Sequence, residues 1–177
     1  MTMSTLTVTI DDHALVVEID GRTVRSVPIG PLTLLAGPLR GSDPPPPADL
    51  TNALGLVQDH LDDLLMDEPS IAAAHDVVAL GRYAEAMARV EIGAAHVPDG
   101  YELLRGDADE VFRTLAVEPL ADRRHNPGLQ EADVESIVAT CCVILGIMRR
   151  LDLGAVHIGT GPREAGERDA DDRTATT

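Results

Sequence analysis

The side chains that could ionise, ligate or attack in this 177-residue chain fall in a few places. Cys141 and Cys142 are adjacent, which on a helix sets them about 100° apart. They diverge too far to pair with each other and read as buried reduced thiols. His75-Asp76 has the residue types of a metal-binding dipeptide. That chemistry needs further His and Asp ligands on surrounding helices, and here the dipeptide runs straight into Val77-Val78-Ala79-Leu80, an apolar run that reads as a strand. The six histidines show no ligand spacing on one helix face. Asp59, Asp62, Asp63, Asp67 and Glu68 crowd the end of a helical segment. Without the glycine and spacing of a calcium loop they read as a solvated acidic face. No G-x-S-x-G, P-loop or C-x-x-C is present.

Composition narrows the classes further. The formal charge is −16 and all fourteen basic residues are arginine. With no basic footprint, nucleic acid and anionic membranes are excluded as expected partners. The pairs Arg123/Arg124 and Arg149/Arg150 read as helix C-terminal charges. The chain is 44% hydrophobic but only 2% aromatic, so the core must be Val, Leu, Ile and Ala. The first residues, MTMSTLTVTI, lack the charged and long apolar regions of a signal peptide, no membrane span is apparent, and the thiols read as reduced. A cytoplasmic location is expected.

The elements that must position any site follow from periodicity. Leu6–Ile10 and Ala14–Ile19 alternate as strands around an Asp11-Asp12-His13 turn. Asp20-Gly21 is a hairpin signal, tolerating the positive φ of a type I′ turn, and Thr23–Ile29 pairs back. Pro31–Gly37 reads as a further strand, giving a meander over 5–36. The stretch 37–48 with its run of four consecutive prolines reads as a stiff spacer. Asp49–Met66 has a helical apolar face capped by Asp49 or Thr51, and His75–Gly81 reads as a strand leading into a helix, Tyr83–Ile92. A short segment around Tyr101–Leu104 and a helix over Asp107–Asp122, kinked or ended at Pro119, come next. Gln130–Leu151 reads as one long helix, apolar over most of its circumference and so buried on several sides. Its acids Glu131, Asp133 and Glu135 fall in the first turns, Arg149 and Arg150 in the last, and Gly154 stops it. The run Ala155–Gly159 reads as a buried strand, and 162–177 as a disordered polar tail. Hairpins first and helix crossovers on a mixed sheet later predict an α/β, ribonuclease-H-like domain over 1–161, with its α/β part over 49–161.

The string PGLQEADVESIVATCCVIL with MRRLDLGAVHIGTGPREAG resembles the C-terminal part of the exopolyphosphatase/guanosine pentaphosphatase (Ppx/GppA) family. Pro127-Gly128-Leu129 stands at the family's Pro-Gly-Leu, and Arg163-Glu164 stands near its terminal Arg-Glu. Val77–Gly81 stands where the family has a strand leading into Gly-Gly-Thr-Ala-Thr-Thr. Val16–Arg25 stands where it has a strand leading into Asp-x-Gly-Gly-Gly-Ser-x-Glu. The resemblance covers residues 14–166 and implies the second of two actin-like ATPase (ASKHA) domains, with the first absent. In the family that first domain supplies a catalytic Glu and one wall of the cleft.

The departures fall on the phosphate loops. In the first, Glu18 replaces the family's Asp and Asp20 its first Gly. Gly21 remains, Arg22 replaces the third Gly, Thr23 stands for the Ser and Arg25 for the Glu. In the second, Gly81 remains, while Arg82, Tyr83 and Glu85 replace a glycine and two hydroxyl residues. Asp133 stands at the family's Arg and Glu135 at its Asp. Phosphoryl transfer needs backbone amides or cations, with a metal, to neutralise developing charge, and Asp20 and Glu85 would repel it. Arg22 and Arg82 would hold an anion only if both loops face one cleft. The resemblance therefore implies a degenerate, non-catalytic binding or regulatory domain with no cofactor. Its partner, a second copy or another protein, would dock on the face that the absent domain covers. The alternative is a hydrolase of polyphosphate or guanosine pentaphosphate that uses Mg²⁺ and a partner chain for the missing half-site.

Overall fold

The computed structural model describes residues 4–159; the predicted tail at 162–177 and Arg163-Glu164 lie outside them. Strands β1 (Thr5–Ile10), β2 (Leu15–Ile19) and β3 (Arg22–Val27) form the predicted antiparallel set. Asp20 and Gly21 both take positive φ, 49° and 76°, at the β2–β3 turn, as a type I′ hairpin requires. The meander ends there. Pro31–Ala36, expected as a strand, is helix α1. Pro31 cannot donate to a strand ladder, but it suits the first helical position, where its missing N–H would be unpaired anyway. The Gly30 N–H bonds the Thr33 hydroxyl at 3.3 Å and fixes the entry.

Helix α2 (Pro47–Asp67) again starts on a proline at its first position, so the proline run ends inside a helix. Thr51 bonds back to the Pro47 carbonyl rather than capping. The rest of that run is not a free spacer. Asp43 accepts the Leu120 N–H at 2.6 Å and pairs with Arg123 at 3.2 Å, docking the connection onto the body of the domain. A 3-10 turn (Pro69–Ala73) precedes β4 (Asp76–Leu80), and α3 (Arg82–Ile92) follows it. The short segment is a true strand, β5 (Glu102–Leu104). Helix α4 (Arg105–Val117) stops before Pro119, and α5 (Leu120–Arg123) follows. The long helix is shorter than its sequence suggests: Glu131–Asp133 is a separate 3-10 turn and α6 spans Ile137–Arg150. The three acids therefore precede the helix, and the dipole reading holds only for Arg149 and Arg150, which pair with Asp109 and Asp62. Arg123 is no surface charge either; it is 3% exposed and donates to the carbonyls of Leu115 and Glu118. Strand β6 is Ala155–Ile158.

The six strands lie in the order β3-β2-β1-β4-β6-β5, with β1, β4 and β6 parallel and the other pairings antiparallel. From β1 to β4 to β6 the chain steps the same way across the sheet. Right-handed crossovers then put both sets of connecting helices on one face. Burial agrees. The alternate residues Leu6, Val8, Ile10, Val77, Ala79 and Val156 are all at most 5% exposed. Their neighbours Thr5, Thr7, Thr9, Val78 and Leu80 are half-buried, and Glu102 and His157 are exposed. On the covered side α6 is the hub. All twelve residues Ile137–Met148 are buried, and α1, α2, α3 and α4 surround it. Each buried Val, Leu or Ile there contributes roughly 1.5–3 kcal/mol against exposure. The cysteines sit inside it with burial pushing both thiols up, Cys142 to about 12, so neither forms a reactive thiolate.

Candidate functional site

Ligands in open α/β sheets bind beyond the carboxyl ends of the parallel strands. Here that edge is built from the β1–β2 turn (Asp11–Ala14), the start of α1, the β4–α3 junction and the 3-10 turn before α6. Gly81 makes the junction possible. Its φ is +99°, and a Cβ there would lie 2.8 Å from the Ile10 carbonyl oxygen, so only glycine lets β1 and α3 meet this closely. Gly30 abuts the same turn, its absent Cβ 2.4 Å from the Asp11 carbonyl oxygen, and Leu32 donates to the Asp12 carbonyl at 2.9 Å.

Across this edge runs one connected set of polar contacts. The Tyr83 hydroxyl donates to Asp12 Oδ1 at 2.6 Å. Tyr83 is 1% exposed; burial and that bond to Asp12 raise its pKa to about 12. The Arg82 guanidinium lies 4.7 Å from the centre of the Tyr83 ring and reaches Asp133 Oδ1 at 3.3 Å and the Ala132 carbonyl at 3.4 Å. The other oxygen of Asp133 pairs with Arg89 at 2.9 Å. Asp133 is 3% exposed and Arg89 8%, so this is a buried ion pair. Glu85 flanks Arg89 at 3.8 Å, while Arg89 Nε has no partner among the described residues. The acids Asp11, Asp12, Glu85 and Asp133 thus outnumber the cations Arg82 and Arg89. The β1–β2 turn also offers little to an anion: it contains no glycine, the Asp11 N–H is spent on the Ala14 carbonyl at 2.9 Å, Asp11 and Asp12 are carboxylates, and the His13 imidazole meets the Thr33 hydroxyl at 3.4 Å.

The sequence-predicted residues divide between two ends of the sheet. Gly81 and Arg82 are at the carboxyl end. Glu18, Asp20, Gly21, Arg22 and Thr23 are at the other: Asp20 exchanges hydrogen bonds with Thr5, its N–H to the Thr5 carbonyl and its carboxylate from the Thr5 N–H. Thr5 sits beside Asp76, the first residue of β4, and Thr9 beside Leu80, the last. Strand β1 therefore separates Arg22 from Arg82 by roughly 16 Å at about 3.3 Å per residue, and the two arginines do not face one cleft. Glu18 and Thr23 bond each other at 3.2 Å, as cross-strand partners do. The turn that does approach Gly81 is Asp11–Ala14, one hairpin earlier than the sequence register placed it. Asp12, Tyr83 and Arg89 were missed as site residues. Asp133, set at the family's arginine in the sequence register, lies in the 3-10 turn before α6 and holds both Arg82 and Arg89. Among the described residues no group of three His, Cys, Asp or Glu side chains converges as a metal site, and His75-Asp76 gains no such companions.

No family model and no curated protein matches the sequence. Solved structures do. The chain superposes on an exopolyphosphatase-like protein with a TM-score of 0.77 at 19% identity, over 88% of this chain and 55% of that one. It superposes on the PPX-GPPA enzyme of Aquifex aeolicus with a TM-score of 0.76 at 17% identity, over 89% and 53%. An exopolyphosphatase from Cytophaga hutchinsonii gives 0.67 at 17%, over 89% and 53%. The chain therefore has the actin-like α/β fold of the Ppx/GppA exopolyphosphatase-like proteins, as its motifs implied. It corresponds to a partial, C-terminal-like domain of them, spanning about half their length.

Proposed function

We propose that this is a degenerate, non-catalytic domain on the Ppx/GppA fold, acting in the cytoplasm as a binding or regulatory protein. The observation that supports this most directly is the Tyr83–Asp12 bond. It ties the β1–β2 turn to the head of α3 across the gap that a phosphate would have to enter, and it does so with a carboxylate. Both nearby guanidiniums are already committed to Asp133. A site for phosphoryl transfer needs the reverse, free donors aimed at developing negative charge. The test is phosphate release from pyrophosphate, polyphosphate and guanosine pentaphosphate, with and without Mg²⁺. The expected result is no turnover above that of Arg82→Ala, and no rise in melting temperature with those ligands. Turnover that Arg82→Ala abolishes would overturn the proposal.

A second reading rests on the half-length match: a hydrolase of the same phosphoanhydrides, completed by a partner chain. Mg²⁺ is usually held by one or two carboxylates plus substrate oxygens. The acid present for it is Asp11, exposed on the turn, because Asp12 is bound to Tyr83. Phosphate release that appears only on adding a chain with the other half-domain would favour this reading.

A further inference from the structure

The face of the sheet opposite the helices has no cover among the described residues. Three of its strands, β1, β4 and β6, are parallel, and parallel strands are ordinarily packed on both faces. Its centre is suited to packing: Thr7, Thr9, Val16, Val78 and Leu80 are all half-buried, with no charge among them. Its rim is acidic. Glu18 lies on β2, Asp76 at the start of β4 and Glu102 on β5. Asp76 and His157 stand 3.6 Å apart, 41% and 48% exposed. The helical side differs sharply. Its large exposed hydrophobics, Met66 and Val117, sit singly at the ends of two helices and make no patch, whereas Leu104, 48% exposed, alternates with Leu103 onto the open face beside Glu102.

From this juxtaposition we infer that the open sheet face is the docking surface for an amphipathic helix of another protein. That helix would carry an aliphatic stripe flanked by Lys or Arg. The inference rests on the binding role proposed above and names the partner's class. Charge selects the occupant. A second copy laid face to face would set Glu18, Asp76 and Glu102 against the same acids in a chain of formal charge −16. A basic flank meets them with opposite sign and favours docking. Residues 160–177 contain no Val, Leu, Ile, Met or aromatic side chain, so that stretch supplies no apolar stripe. A helix is the shape that lies on a twisted sheet with its stripe inward.

Three 18-residue peptides titrated into the isotopically labelled full chain test this by NMR. One has a leucine stripe with lysine flanks, one the same stripe with glutamate flanks, and one is a scramble of the first. The first peptide is expected to shift the amides of Thr7, Thr9, Val78 and His157 and leave α6 unmoved, binding at least tenfold more tightly than the other two. Val78→Glu, on the open face, is expected to abolish this while melting within a few degrees of the parent. Asp76→Lys combined with Glu102→Lys is expected to reverse the preference between the two striped peptides. Equal binding of the scramble, shifts confined to the helical side, or a concentration-dependent dimer burying the same face would each overturn the inference. Phosphate release is read separately, so failure here is distinct from failure of the non-catalytic reading.

Discussion

At the amino end of the sheet, Asp20 and Gly21 close a hairpin with local chemistry: two positive φ angles and reciprocal bonds to Thr5. At the carboxyl end, closure depends on residues far apart in the chain. Asp12 meets Tyr83 across 71 positions, and Asp133 meets Arg89 across 44. The first end is a turn that any short stretch of the right sequence could make. The second is assembled only when the whole domain folds, and its Arg89–Asp133 pair is buried where water screens it little. The two ends should therefore respond to substitution on different scales.

The largest effect is expected from Asp133→Ala. It leaves the Arg89 guanidinium buried without its closest partner, which costs roughly 3–5 kcal/mol for a buried pair broken on one side. Urea denaturation should show the midpoint falling with little change in slope. Replacing both partners, Arg89→Met with Asp133→Leu, should recover most of that loss, because no uncompensated charge remains. A double variant as unstable as the single one would mean that geometry, not charge, holds this end.

Gly81→Ala comes next, at about 3 kcal/mol. The added Cβ carries the strain of a positive φ and also meets the Ile10 carbonyl at 2.8 Å, an overpacking that neighbouring backbone cannot relieve cheaply. Circular dichroism melts would check it. A cost near 1 kcal/mol would show that β1 and α3 can separate.

Tyr83→Phe removes one bond to a carboxylate and should cost about 1.5–2 kcal/mol at neutral pH. Its pH dependence is more diagnostic. The folded pKa of Tyr83 is raised to about 12 from an ordinary 10, so the folded state holds the proton more tightly than the unfolded chain does. That stabilisation is complete below pH 10 and is lost as pH rises towards 12. Stability measured across that window should fall more steeply in the parent than in Tyr83→Phe.

The same contrast explains what the sequence revealed. The hairpin at Asp20-Gly21, the strand at Val77–Leu80 and the buried core helix were legible because period and turn chemistry are local properties. Of the phosphate-loop residues read from sequence, only Gly81 and Arg82 lie at the carboxyl end, where the junction's glycine survives. Asp12 gave no signal. The β1–β2 turn contains no glycine, so the glycine-bearing turn one hairpin later drew the register to Glu18–Thr23. Tyr83 read only as a departure in the second loop and Arg89 as an ordinary helix residue, and only the tertiary fold turns them towards Asp12 and Asp133. Pro31–Ala36 misled for a similar reason. Its Leu-Thr-Leu alternation suits a strand, while the proline at the first position and the Gly30–Thr33 bond that make it a helix are end effects.

The smallest effect is expected from Gly21→Ala. Its φ is +76° and nothing lies within 4 Å of the position a Cβ would take, whereas Gly81 combines φ +99° with ψ 165°, a region open essentially to glycine alone. The substitution therefore meets only the backbone penalty of a left-handed conformation, roughly 1–2 kcal/mol. Part of it is offset by about 0.4–1 kcal/mol because alanine stiffens the unfolded chain, leaving about 1 kcal/mol or less. Paired with Gly81→Ala in one denaturation series, it separates the cost of a positive φ from the added cost of close approach and extended ψ at Gly81. Equal costs at the two glycines would mean that the carboxyl end is no more tightly built than the hairpin, and would remove the physical ground for calling that end closed to phosphate.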